Sequence, residues 1–66
     1  MEILGQRLRQ LRTARGITAA QAAREIGMPI YTYVCYEKGL AKRGFDNIIR
    51  MAKFYKVSTD YLFGLC

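Results

Sequence analysis

Glycines set the strongest limit on what this chain can become. Gly16, Gly27, Gly39 and Gly64 each follow a segment of helical apolar spacing and stop it. Glycine takes up the left-handed backbone that closes a helix without steric cost, so each of these positions ends one helix and begins a tight connection. Five helical segments fit between the stops. Residues 2–15 carry Leu4, Leu8 and Leu11 in a single stripe at i, i+4 and i+7. Thr18-Ala19-Ala20-Gln21 has the form of a capping box, in which the hydroxyl accepts from the amide three residues on and Gln21 reaches back. It opens a second helix over residues 19–26. Pro29 suits the first turn of a third, residues 29–38, where its missing N–H is no loss. Residues 45–55 place Ile48, Met51, Ala52 and Tyr55 on one face, and Ser58 is a good N-cap for a last short helix over residues 59–63. Residues 40–44 read as a basic loop, and no period-two strand with hairpin punctuation occurs. The expected fold class is all-α: one compact domain over residues 1–66 with short connections.

A chain of 66 residues has a thin core, because at this size folding buries only about 60% of the surface that the unfolded chain exposes. Cysteine chemistry adds little. Cys35 and Cys66 lie far apart, there is no Cys/His cluster and no histidine at all, so neither a zinc site, nor another cofactor, nor a disulfide is expected. The arginine-bearing first segment has no continuous apolar stretch of the kind a signal peptide needs. No run of about 18 apolar residues could span a membrane, and a cytoplasmic location is expected.

Eleven Lys and Arg against five Asp and Glu give a net charge of +6. Such an excess attracts a polyanion, with nucleic acid first. Catalysis has no foothold. General acid–base work needs paired carboxylates or a histidine near neutrality, whereas Glu2, Glu25, Glu37, Asp46 and Asp60 are scattered. Neither cysteine has a base beside it in sequence, and no small-molecule site is evident.

The segment 18–39 has the parts of a helix-turn-helix. That motif needs a small residue where its two helices cross, a turn glycine four positions later, and apolar residues that dock the second helix. Ala23, Gly27 and the trio Met28, Tyr33 and Tyr36 fill those roles. With "LGQRLRQLRTARGIT", "AAREIG", "YEKG" and "MAKFYKVSTDYLFG" in this order, the chain resembles the phage-repressor and Cro-like helix-turn-helix family, often called the XRE family. The likeness runs over nearly the whole chain and implies a five-helix, lambda-repressor-like DNA-binding domain.

The resemblance also assigns roles. It pairs Arg12 with Glu37 as a structural ion pair. Phosphate contacts fall to Thr18, Ala19 and Gln21 at the start of the second helix, and to Lys38, Lys42 and Arg43 around the following loop. At Ala19 the family often has Gln, so here only a backbone N–H remains for a phosphate. Base contacts fall to the exposed positions of the third helix: Pro29, Ile30, Tyr31, Thr32, Val34 and Cys35. A site that reads purines wants Arg, Gln or Asn, and none stands there. Three readings are open. The helix reads DNA through apolar contacts and shape; or its apolar face binds another protein, as an adaptor or antirepressor-like module; or the helix is rotated, so that some of these residues belong to the core. Family members usually act as dimers on near-palindromic operators, which implies a two-fold contact through Tyr61, Leu62, Phe63 and Leu65. The function implied is a sequence-specific, repressor-like transcription regulator of double-stranded DNA. Phe45, Phe54, Tyr55, Tyr61 and Phe63 are expected to serve packing, and most of Arg7, Arg9 and Arg15 to lie on a solvated face.

Overall fold

The computed structural model describes residues 2–40 and 44–65, with side chains from residue 3 onward. Five helices follow one another: α1 (Glu2–Arg15), α2 (Ala19–Ile26), α3 (Ile30–Lys38), α4 (Phe45–Tyr55) and α5 (Thr59–Phe63), with no strand among the described residues. The capping box is formed at α2, with Gln21 N–H donating to Thr18 Oγ1 at 3.1 Å and Thr18 N–H donating to Gln21 Oε1 at 2.9 Å. The third helix starts one residue later than expected. Pro29 is its N-cap, with φ −61° and ψ 144°, because a cap must turn its carbonyl into the helix from extended backbone.

The turn of the motif depends on Gly27, whose φ of 95° is left-handed. Its N–H and that of Met28 both bond to the Ala23 carbonyl, which closes α2 and sends the chain back toward α3. Ala22 and Ala23 are buried, and their small side chains let α2 lie close to its neighbours. The remaining core comes from Leu4 and Leu8 of α1, Met28, Tyr33 and Tyr36, the predicted face of α4, and Leu62 of α5.

Leu62 therefore corrects one expectation. It is fully buried, so it fills the core and is not a surface for a second subunit. Phe45 corrects another. It is 66% exposed, since it is the first residue of α4 and the buried face begins a turn later at Ile48. Arg7 and Arg15 are not simply solvated. Arg7 donates to the Tyr61 carbonyl and lies 4.3 Å from the centre of that ring; Arg15 donates to the Phe54 carbonyl at 2.6 Å and lies 4.6 Å from the Phe54 ring. Both fasten α1 to the carboxyl-terminal part of the fold.

Where α1 crosses the end of α3, Gly5 is buried and a methyl group there would collide with the Glu37 carbonyl oxygen. Only glycine lets the two backbones come so near.

Candidate nucleic-acid interface

The orientation of α3 follows from two tyrosines three positions apart. Tyr33 and Tyr36 are 0% and 4% exposed and turn into the core, which directs the opposite side of the helix outward. There Ile30 is 50% and Tyr31 78% exposed, while Thr32, Val34 and Cys35 are half-buried. The rotated-helix reading is thereby overturned: the docking positions hold the tyrosines, and the presumed reading positions border solvent.

Burying a phenol requires a partner for its hydroxyl. The Tyr33 and Tyr55 hydroxyls lie 2.6 Å apart and bond to each other, and Asn47 Nδ2 donates to the Tyr36 hydroxyl at 3.4 Å. Burial chiefly, then the bond to Tyr55 and the neighbouring Glu37 carboxylate, push the Tyr33 phenol far above its ordinary value. Tyr55 is also raised by burial, with its bond to Tyr33 working in the opposite direction. Both stay neutral wherever the fold persists near neutral pH.

The end of α3 is held separately. The Glu37 carboxylate is only 6% exposed and receives Arg12 through two bonds, from Nε to Oε2 at 2.7 Å and from Nη2 to Oε1 at 3.2 Å. Arg12 Nη1 also donates to the Ile17 carbonyl at 3.0 Å, just before the α2 cap. The bond to Glu37 raises the guanidinium further above its already high value, against the lowering effect of burial. One side chain of α1 thus fixes the start of α2 and the end of α3 together. The planar, forked shape of guanidinium suits that task.

Around the outward face, Thr18, Gln21 and Lys38 are exposed and Ala19 is half-buried. The capping box uses the Gln21 carbonyl oxygen, leaving the amide NH2 as its donor end, and the Thr18 hydroxyl keeps its own proton to donate. Gln21 N–H is taken by Thr18 Oγ1 and Ala22 N–H by the Thr18 carbonyl, so Ala19 and Ala20 retain the amides that a helix start offers to an anion. Lys42 and Arg43 lie outside the described residues. On α3 itself, the outward side carries the hydroxyls of Tyr31 and Thr32 beside the apolar Ile30 and Val34. Cys35 is a free thiol on the same side.

Tyr61 and Phe63 of the expected dimer contact are half-buried against the core, and Leu65 is 74% exposed. Sequence reasoning missed the Tyr33–Tyr55 pair, Gly5, and the two arginine fasteners. Gly5 alone gave a readable signal, because a glycine inside a strong helical pattern costs stability unless packing demands it.

A short α2 capped by Thr18, a left-handed glycine turn and an α3 docked by Tyr33 and Tyr36 define a helix-turn-helix domain. The chain belongs to that family, whose model matches residues 3–62. It is 43% identical over 60 residues to the uncharacterized HTH-type transcriptional regulator YobD of Bacillus subtilis (strain 168), covering 91% of this chain and 54% of that protein. It is 33% identical over 61 residues to the HTH-type transcriptional regulator ImmR of the same organism, covering 92% and 48%. Similarity to the cryptic phage CTXphi transcriptional repressor RstR of Vibrio cholerae is 33% over 55 residues, covering 83% and 50%. The chain spans about half the length of the curated relatives it matches. No solved structure matches it significantly.

Proposed function

We propose that this chain is the DNA-binding part of a cytoplasmic, repressor-like transcription regulator that sets α3 into the major groove of double-stranded DNA. The observation that carries this reading is the double anchoring of α3. Tyr33 and Tyr36 hold its inner side and Arg12 holds its end, so the face with Ile30 and Tyr31 is presented rigidly beside the start of α2. Rigid presentation is what groove reading requires.

Thr18, the Ala19 amide, Gln21 and Lys38 take phosphates, together with Lys42 and Arg43 of the loop. Ile30 and Val34 meet thymine methyls, and Tyr31, Thr32 and Cys35 complete the contact. With so few base-edge donors, shape and phosphate spacing contribute much of the selectivity. Tyr61, Phe63 and Leu65 supply a two-fold contact, and half-sites then lie about 34–36 Å apart.

The three cations among these contacts, Lys38, Lys42 and Arg43, give a log–log slope of affinity against salt of about −3 for each bound subunit. Replacing Lys42 and Arg43 together by Ala flattens it by about two units. An unchanged slope refutes their role. Selection of bound sites from random duplexes yields a near-palindrome. A pool that shows no enrichment rejects the DNA reading in favour of a protein partner for the apolar face.

A further inference from the structure

We propose that the groove between α1 and the end of α3 seats a DNA backbone phosphate, a contact additional to those at the α2 start and the loop. The inference rests on the DNA-binding reading above. The groove has a volume of about 540 Å³ and is lined by Gln6, Arg9 and Gln10 of α1 and by Glu37 and Lys38 of α3.

The arginines of α1 divide into two kinds. Arg7, Arg12 and Arg15 each donate to a backbone carbonyl of another part of the fold, at Tyr61, Ile17 and Phe54. Arg9 does not. Its side chain is 63% exposed and reaches Glu37 only loosely, at 3.9 Å. The single acid of the groove is already satisfied, since Glu37 receives both of its close bonds from Arg12. Arg9 and Lys38 are therefore surplus positive charge on either wall.

Gln6 and Gln10 stand one helical turn apart on α1 and add neutral amide donors. Among the described residues, no hydrogen bond or ion pair engages the side chains of Gln6, Gln10 or Lys38. Two cations and two amide donors around a compensated carboxylate suit a singly charged phosphodiester. Lys38 also belongs to the outward side of α3, so a duplex that accepts this helix brings one strand's phosphates alongside the groove. A second depression, at the start of α4, is lined by both Asp46 and Arg50 and has no such surplus.

The test is the salt dependence of binding to a labelled duplex of mixed sequence, measured by fluorescence anisotropy on the whole chain. Arg9→Ala flattens the slope by about one unit and weakens binding alike on all sequences. Arg9→Lys retains the slope. Gln6→Ala with Gln10→Ala weakens binding by a similar factor at every salt concentration and keeps the slope, because neutral donors release no counterions. Lys53→Ala, which removes an exposed cation on α4, is the control for net charge alone. A wild-type slope in Arg9→Ala, or an equal flattening in Lys53→Ala, overturns the groove assignment and leaves the DNA reading standing. Wild-type protein that shows no salt-dependent binding overturns the DNA reading itself.

Discussion

Tyr33→Phe removes a single oxygen, and its consequence is set by what remains behind. Tyr33 and Tyr55 are 0% and 4% exposed, and their hydroxyls satisfy each other at 2.6 Å. Among the described residues no buried side-chain polar atom is left without a partner. Deleting the Tyr33 hydroxyl strands that of Tyr55 in the interior, at a cost of about 1–3 kcal/mol. Tyr55→Phe leaves the Tyr33 hydroxyl facing the neighbouring Glu37 carboxylate, already engaged by Arg12, and costs at most a similar amount. The double variant leaves no orphan of this pair, so it is destabilised by less than the sum of the two singles, by a margin of about 1–2 kcal/mol. In a domain of this length, each kcal/mol moves the melting temperature by about 4–8 °C. Urea titrations and melts followed by far-ultraviolet circular dichroism measure the cycle, as the chain has no tryptophan for fluorescence. Strictly additive losses, or single variants within about 0.5 kcal/mol of wild type, refute the claim that the hydroxyls act as a pair.

Three further outcomes follow from the geometry. Because folding raises the Tyr33 and Tyr55 phenols above their ordinary value, their stabilising contribution is complete below about pH 10 and is lost as pH climbs beyond it. The unfolded chain releases protons there that the native chain retains, so alkaline urea midpoints fall with pH, and the double phenylalanine variant falls less steeply. Lys56 is the non-glycine residue with left-handed backbone among those described, at φ 57°, and Lys56→Gly raises stability by about 1 kcal/mol in the same titrations. Gly5→Ala lowers stability by about 2 kcal/mol despite alanine's better helix propensity, because the methyl group meets the Glu37 carbonyl; a stabilised variant would disprove the close crossing.

Most of the helix punctuation was legible because it is local. A capping hydroxyl with its glutamine, or a glycine after an apolar stripe, acts within a few residues, and the Thr18–Gln21 box and the Gly27 turn lie where those signals put them. Pairing across the fold was less visible. Nothing near Tyr33 in sequence announces Tyr55, and the polar end of a buried phenol is met only when α3 and α4 come together. Arginine was the other blind spot. Its charge suggests solvent, yet Arg7 and Arg15 lay their guanidinium groups over aromatic rings and donate to carbonyls. Two expectations also failed at the ends of elements: Phe45, expected to pack, overhangs the core, and Leu62, which the resemblance gave to a two-fold contact, enters it. At the interface, the pattern indicated which side of α3 faces out, while the α1 wall of the groove emerges only from the packing of two distant segments.

The reach of Arg12 into both Glu37 and the Ile17 carbonyl has a consequence for engineering. The angle between the two helices of the motif is referenced to a third element that precedes them in the chain. A graft of residues 18–39 onto a foreign scaffold would carry its turn and its outward side chains intact but leave its compass behind. Any transplant meant to keep the pitch of the reading helix has to bring the first helix with it, or rebuild a guanidinium at that spot.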